Sequence, residues 1–184
     1  MAAQRGSGRL GMPAHRNCYR VIYSGTLSKS LAPGLRLGWL VLPEPLLEPI
    51  AAGRHVTDYA TSSLVQAAGA LFLANGDLDR HLRRTRRVYR RRRDALIAAL
   101  ARWVPDARPS GVAAGLHVLV TLPDVHDESE IVARARAAGV GVYPLSPFRM
   151  TRRSDEPPAL VLGYGTLGPA QLERGVRLLA DALR

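Results

Sequence analysis

The chain has 184 residues, of which 47% are hydrophobic, and its formal net charge is +11 at pH 7. This length supports one domain or two small ones, and no apolar stretch reaches the roughly 18 residues that a membrane-spanning helix needs. The single cysteine, Cys18, excludes an internal disulfide framework and is typical of a reducing compartment, so we expect a cytoplasmic protein.

The first 17 residues contain arginine, glycine and serine but no acidic residue. They lack the apolar run of a secretory signal, and they are too short and too rich in glycine to form the amphipathic helix of a transit peptide. We leave residues 1–17 unassigned.

Two short strands are predicted next, at residues 20–23 and 35–42, because both runs are mostly apolar. Gly25, Pro33 and Gly34 supply turn residues between them. Lys29 is therefore predicted to lie on a connection near a strand end. Such connections are where α/β enzymes place their chemistry.

Lys29 is the one lysine of the chain, against 25 arginines. An amine can lose its proton and attack a carbonyl, whereas a guanidinium stays charged. The alternative is that a coding bias towards arginine left one lysine by chance. Thr26 and Ser28 add hydroxyl donors, and Arg36 adds a planar fork that suits phosphate oxygens. These four residues favour a site for a phosphorylated aldehyde cofactor.

Residues 43–76 predict helical segments that end at Asn75 and Gly76, and a long arginine-rich helix follows from Asp77 to Trp103. Nine arginines fall between positions 80 and 93. Apolar residues recur among them at helical spacing, which is typical of a surface helix with one buried stripe. No helix-turn-helix or aromatic-interleaved basic motif accompanies the arginines, so the pattern favours a solvated face over a nucleic-acid site.

The rest of the chain alternates strands with helices. Asp127 and Glu130 resemble a capping box, Gly139 suits a helix end, and Pro169 suits a first helical position. The predicted elements are a strand at 116–122, a helix at 128–138, strands at 140–143 and 159–164, and a helix at 169–183. This alternation indicates an α/β protein.

Other catalytic or metal sites are not indicated. The five histidines and Cys18 show no metal-ligand spacing, so we predict no metal. No serine lies in the G-x-S-x-G pattern of a serine-hydrolase elbow.

The segment from Gly25 to Gly38 carries a family resemblance. Gly-Thr-x-Ser-Lys at residues 25–29, followed by Ala-Pro-Gly-Leu-Arg-Leu-Gly at 32–38, resembles the cofactor-lysine segment of the fold type I pyridoxal-phosphate enzymes, the aspartate aminotransferase superfamily. Within that superfamily it is similar to the aminoadipate/kynurenine aminotransferases and to the MocR regulators. The latter join a GntR-type winged helix-turn-helix to an aminotransferase-like domain. Further stretches, at 78–96, 111–118, 142–146 and 160–164, resemble the same regulators.

This resemblance implies that Lys29 forms a Schiff base with pyridoxal 5'-phosphate, and that Thr26, Ser28 and Arg36 hold the phosphate. It implies that residues 18–84 are the C-terminal part of the cofactor-binding large domain and that residues 85–184 form an α+β small domain. It also implies a homodimeric parent protein whose ligands are the cofactor and an amino acid. We identify no DNA-reading element in this chain.

The sequence departs from the family in two respects. The family's earlier segments have no counterpart before Lys29, including the aspartate that pairs with the pyridine nitrogen, since the first acidic residue is Glu44. We therefore expect a C-terminal piece of a longer protein with little or no transaminase activity. The family's substrate-carboxylate arginine would lie in the last strand, where this chain has Val161. The alternatives are in the preceding loop, at Arg149, Arg152 and Arg153.

Three functions remain open. The first is the effector-sensing part of a MocR-type regulator, and the loss of the strand arginine favours it. The second is a fragment of a true aminotransferase of the aminoadipate/kynurenine type. The third is a degenerate fragment that binds no cofactor.

Overall fold

The computed structural model describes residues 20–111, 115–122, 127–150 and 157–184. The chain divides into two compact units, one ending at His81 and the other running from Leu82 to Arg184. Among the described residues, no helix is both long enough and apolar enough to cross a bilayer.

The first unit contains a two-stranded sheet and the helices that follow it. The strands are β1 (Tyr23–Thr26) and β2 (Gly38–Val41), and the helices are α1 (Glu44–Asp58), α2 (Ser63–Ala74) and the start of α3 (Asp77–Trp103). The strands are antiparallel, with Tyr23 opposite Val41 and Thr26 opposite Gly38. This register puts the connection that carries Lys29 at one end of the pair.

The helix boundaries of this unit follow local sequence signals. The Ser62 hydroxyl accepts a hydrogen bond from the Val65 N–H at the start of α2. At its end Gly76 has a φ of 68°, a conformation that glycine adopts without steric cost. The predicted helix stop at Asn75 and Gly76 is therefore confirmed, as is the predicted long helix from Asp77 to Trp103.

The second unit is built on a four-stranded antiparallel sheet. Its strands are β3 (Arg108–Ser110), β4 (His117–Thr121), β5 (Tyr143–Pro144) and β6 (Ala159–Gly163), in the spatial order β3-β4-β6-β5. Two helices complete the unit, α4 (Glu128–Ala137) and α5 (Pro169–Leu183). The central pair aligns His117 with Gly163 and Thr121 with Ala159.

One hydrophobic core joins this sheet to its helices. It contains residues of α3, β4, α4, β6 and α5, and burial of each leucine stabilises the fold by about 1.5–3 kcal/mol. The largest fully buried side chains are Leu100, Leu160, Leu179, Val118 and Val120. The apolar stripe predicted on α3 enters this core at Leu96 and Leu100.

Three strands differ from the predicted ones. β3 was not predicted, because Pro109 argues against a strand, but β3 lies at the sheet edge, where a missing N–H is tolerated. The other edge strand, β5, contains Pro144 and begins at the last residue of the predicted strand 140–143. β1 likewise begins at the last residue of the predicted strand 20–23, at Tyr23.

Candidate functional site

Lys29 lies on the connection between β1 and β2, as predicted, and its side chain is exposed to solvent. Leu27, directly after β1, is 3% exposed and anchors the connection, whereas Lys29 is exposed. The Leu27 N–H donates to the Leu37 carbonyl at 2.9 Å, and the Leu27 carbonyl accepts from the Leu31 N–H at 2.8 Å. The backbone on both sides of Lys29 is thus held while its amine stays accessible. We call residues 27–37 the lysine turn.

Thr26 closes the base of the lysine turn through its hydroxyl. Its Oγ1 donates to the Leu37 carbonyl at 3.1 Å and accepts from the Ser28 N–H at 3.0 Å. A hydroxyl has one proton to donate, so Thr26 would have to release Leu37 before donating to a phosphate oxygen. Ser28 is half-buried, and its hydroxyl has no partner among the described residues, so that proton is available to a ligand.

Arg36 has an unusual backbone for an arginine. Its φ of 48° and ψ of 31° lie in the left-handed region, at the end of a 3-10 turn formed by residues 33–35. This conformation costs a residue with a Cβ about 1–2 kcal/mol. Strain of this kind is found where a functional side chain must be presented in one direction. The guanidinium of Arg36 is exposed.

Two glycines allow close approach where β1 and β2 meet the lysine turn. A Cβ on Gly25 would lie 2.2 Å from Cζ2 of Trp39, and one on Gly38 would lie 2.9 Å from the Gly25 carbonyl oxygen. Both distances are shorter than any side chain permits. Glycine at position 25 therefore leaves room for the Trp39 indole to lie across β1, and glycine at position 38 leaves room for the Gly25 carbonyl.

His81 contacts the lysine turn through a hydrogen bond that the sequence did not predict. Its Nε2 lies 2.9 Å from the Ser30 carbonyl oxygen, and since a carbonyl only accepts, Nε2 must carry the proton. This bond ties the start of α3 to the residue that follows Lys29. Ser30 and His81 are 51 positions apart, and no local pattern signals such a pair.

The second unit holds the other predicted residues. Val161 lies in β6 opposite Leu119 and Tyr143, so that strand offers no guanidinium for a carboxylate. Arg149 directly follows a 3-10 turn at residues 146–148. Arg152 and Arg153 lie outside the described residues.

Glu128, at the start of α4, makes structural contacts that the sequence did not reveal. Its carboxylate accepts from the N–H of Ser146 and from that of Ala159, both at 2.9 Å. Partial burial alone would raise the pKa of Glu128. The opposing effect is larger: the pKa is lowered by these two N–H bonds, by the Ser146 hydroxyl and by the charge of Arg149. The net result is a pKa below the ordinary value of 4.5.

The lysine turn combines an exposed amine with a hydroxyl and a guanidinium, two groups whose chemistry suits anions. An exposed amine can attack an aldehyde, and the Ser28 hydroxyl and Arg36 guanidinium can hold phosphate oxygens. This donor set fits a phosphorylated aldehyde. In the part of the chain that the structure describes, no three histidine, cysteine or carboxylate side chains cluster to hold a metal ion.

Known proteins resemble this chain over most of its length. The family profile of aminotransferase class I and II matches residues 2–176. The uncharacterized HTH-type transcriptional regulator YhdI of Bacillus subtilis is 33% identical over 89% of this chain and 34% of its own length. The probable rhizopine catabolism regulatory protein MocR of Rhizobium meliloti is 32% identical over 89% of this chain and 33% of its own.

A solved structure matches as well. Kynurenine aminotransferase of Pyrococcus horikoshii, crystallised in complex with PMP and with KYN and KYA as substrate and product, has a TM-score of 0.83 and is 30% identical. The match covers 91% of this chain and 41% of that one. This chain therefore spans between a third and about two fifths of the length of these three proteins.

Proposed function

Because the chain belongs to the aminotransferase class I and II family, we propose that it binds pyridoxal phosphate at Lys29 as the effector-sensing part of a MocR-type regulator. The exposed amine of Lys29, in a turn held on both sides, carries this proposal. The relatives named as HTH-type regulator and as MocR, which align over 89% of the chain, support the regulatory role.

The residues of the lysine turn divide the binding between them. Lys29 would hold the cofactor covalently, and Ser28 and Arg36 would hold its phosphate. Thr26 would join them by exchanging the Leu37 carbonyl for a phosphate oxygen. When bound, pyridoxal phosphate supplies an electron sink for chemistry at the α-carbon of an amino acid.

A sensing role is favoured over transamination by the residues of β6. That strand reads Ala-Leu-Val-Leu-Gly and contains no arginine, so it cannot orient a substrate carboxylate with a bidentate fork. The alternative is a true aminotransferase that uses Arg149, which is half-buried, for this purpose.

We assign residues 18–84 to the large domain of the family and residues 85–184 to its small domain. The division of the chain into compact units at His81 and Leu82 supports this assignment. A homodimeric parent and a cytoplasmic location complete the proposal.

Covalent trapping tests the proposal directly. Purified chain is incubated with pyridoxal phosphate, reduced with borohydride and analysed by peptide mass mapping. Because Lys29 is the one side-chain amine, we expect one modified internal peptide, containing residue 29. Lys29→Arg keeps the charge but cannot react, so it should show no modification at position 29, and any modification of the N-terminal amine should be the same in both proteins. Arg36→Gln should still react, but at about tenfold higher cofactor concentration, since it loses a charge-assisted contact.

The same preparation separates the alternatives. Mixing the loaded chain with amino-acid donors and a 2-oxo acid should give no net transfer of amino groups. Measurable turnover would favour the aminotransferase. Absence of modification at Lys29 would favour a fragment that binds no cofactor and would overturn the proposal.

A further inference from the structure

Six arginines of α3 are exposed and close together. They occupy nine consecutive positions of the helix and all belong to the second compact unit. We call them the arginine face: Arg83, Arg84, Arg86, Arg87, Arg90 and Arg91.

The arginine face lies opposite the buried side of its helix. At about 100° per residue, the six positions fall within an arc of roughly 160°, and the apolar stripe is centred on the other side. Leu96 and Leu100 of that stripe are 2% and 1% exposed, and Tyr89 packs against the same core. Core packing therefore fixes the rotation of α3 and holds all six arginines towards solvent.

Charge on the arginine face is not neutralised within the described residues. Three other arginines of α3 have carboxylate partners, since Arg80 pairs with Asp77, Arg93 with Asp94, and Arg102 with Glu173. None of the six forms an ion pair with a described residue, and the sequence has no acidic residue between Asp79 and Asp94.

This concentration of charge destabilises the helix that carries it. Arginines repeat at four-residue spacing at positions 83 and 87, 86 and 90, and 87 and 91, and like charges at that spacing repel each other. A polyanion lying along the helix would remove the repulsion.

The sequence pattern alone favoured a solvated face, but the six exposed arginines without carboxylate partners among the described residues change this interpretation. We propose that the arginine face binds the phosphate backbone of a nucleic-acid duplex without reading its sequence. Positions 83 to 91 span about 12 Å at 1.5 Å per residue. A DNA duplex carries about one negative charge per 1.7 Å of its axis with both strands counted, so a 12 Å length presents roughly three or four phosphates on each strand to the arginine face. Each guanidinium fork can take two oxygens of one phosphate.

The chemistry of the arginine face disfavours two other modes of binding. The aromatic residue within this span, Tyr89, is half-buried against the core, so the arginine face offers unpaired bases no ring to stack on, and a single strand is disfavoured against a duplex. The apolar stripe of the same helix is buried in the protein, so α3 cannot insert a hydrophobic side into a lipid surface.

A charge-matched pair of variants tests the proposal. In the face variant, four arginines of the arginine face become glutamine, at positions 83, 87, 90 and 91. In the control variant, the same change is made at four exposed arginines of α4 and α5, at positions 134, 136, 174 and 177. Both variants lose the same net charge, and glutamine preserves helix propensity. Circular dichroism verifies that both remain folded.

Binding is measured by fluorescence anisotropy of two labelled DNA duplexes of unrelated sequence over a range of salt concentrations. We expect equal affinity for the two duplexes. The face variant should bind at least about tenfold more weakly, and the slope of log affinity against log salt should fall by about 0.9 for each lost contact. The affinity of the control variant for duplex DNA should stay within about threefold of that of the unaltered chain. A set of Arg→Lys changes at the four face positions should keep most of the affinity, because the charge is retained.

Three results would overturn the proposal. The first is an equal loss in the face and control variants, which would assign binding to net charge alone. The second is a difference of more than about tenfold between the two duplexes, which would indicate base readout. The third is tighter, face-dependent binding to polyglutamate or to phosphatidylglycerol vesicles than to duplex, which would assign the face to an acidic protein or to a lipid surface.

Discussion

Leu37 shows how single backbone groups stabilise the lysine turn. Its carbonyl accepts both the Leu27 N–H at 2.9 Å and the Thr26 hydroxyl at 3.1 Å. These two bonds close the loop at its base, while Leu27 anchors it in the protein. The backbone at Lys29 is therefore held by its neighbours in the turn.

His81 is expected to position Lys29 through Ser30. His81→Ala would leave the Ser30 carbonyl without its donor, and a hydrogen bond of this kind contributes about 1 kcal/mol. We expect the dissociation constant for pyridoxal phosphate to rise about fivefold, measured by titration followed by borohydride trapping.

The control for this measurement is His55→Ala. His55 is exposed on α1 and contacts Tyr59 edge-to-face. It should leave cofactor affinity unchanged. If both substitutions left the affinity unchanged, His81 would not position the turn.

At the residue scale, local sequence predicted the location of Lys29 but not its supporting contacts. Turn residues and flanking apolar runs are local signals, so Lys29 could be placed on a connection. The His81 contact is non-local, and the left-handed backbone of Arg36 could not be predicted because arginine rarely adopts it.

Glu128 links three elements through one carboxylate. It lies in the first turn of α4, and its oxygens accept from Ser146, just after β5, and from Ala159, the first residue of β6. It replaces ladder hydrogen bonds that a two-residue strand such as β5 is too short to provide. The sequence predicted α4 and its Asp127 cap, which accepts from the Ser129 N–H at 2.7 Å, but not this role of the next residue.

The stability of the second unit should fall in acid because of Glu128. Its pKa is lowered on folding, so its contribution is complete above the ordinary value of 4.5 and is lost as the pH falls through the lower, folded value. Glu128→Gln should lower the free energy of unfolding by about 1–3 kcal/mol at neutral pH and should weaken its decline towards acid. Urea unfolding at a series of pH values measures both effects.

Glu130→Gln is the matched control, because Glu130 lies in the same helical turn but is exposed. Glu130→Gln should leave unchanged the fall in the free energy of unfolding towards acid pH. An identical pH profile for Glu128→Gln and the unaltered chain would show that the carboxylate does not support the sheet.

Helices were predicted more accurately than strands, for a physical reason. Helix ends carry caps and glycines, such as Gly76 and Pro169, that act locally. Strands are defined by partners elsewhere in the chain, and the edge strands β3 and β5 contain prolines that normally indicate a loop.

At the scale of the whole molecule, the two units differ in packing. In the described part of the first unit, the buried hydrophobic side chains are Leu27 and Leu78, whereas the second unit has a continuous core. Apolar side chains such as Leu64 and Leu71 remain 78% and 64% exposed on α2. The first unit therefore has less burial to stabilise it.

We expect the first unit to unfold before the second. Each unit contains one tryptophan, Trp39 in β2 and Trp103 at the end of α3. In Trp103→Phe the fluorescence reports on the first unit, and in Trp39→Phe it reports on the second. The urea concentration at the midpoint of unfolding should be lower for the first unit by about 1 M. This corresponds to a difference of about 1–3 kcal/mol in the free energy of unfolding.

Circular dichroism of both variants is the control, since it shows whether phenylalanine has altered the fold. Coincident transitions for the two reporters would show one cooperative unit and would contradict the expectation.

The family and the fold were predictable from the sequence because one segment, residues 25–38, carries both. The matches to the family profile and to solved aminotransferases confirm the predicted α/β class and the fold type I resemblance. The predicted resemblance to MocR-type regulators is confirmed too. The predicted domain boundary after residue 84 stays a prediction, because a helix that runs unbroken from Asp77 to Trp103 gives no local signal of a division.

Under the proposed function, the left-handed backbone of Arg36 makes folding and phosphate binding favour different residues at position 36. Glycine adopts this conformation freely, so Arg36→Gly would relieve strain and would remove the guanidinium in the same step. A library of all residues at position 36, selected only for resistance to proteolysis, should enrich glycine and asparagine. Selected instead for binding of the cofactor, the same library should return arginine. The difference in the free energy of unfolding between the variants from the two selections would measure how much stability arginine costs at position 36.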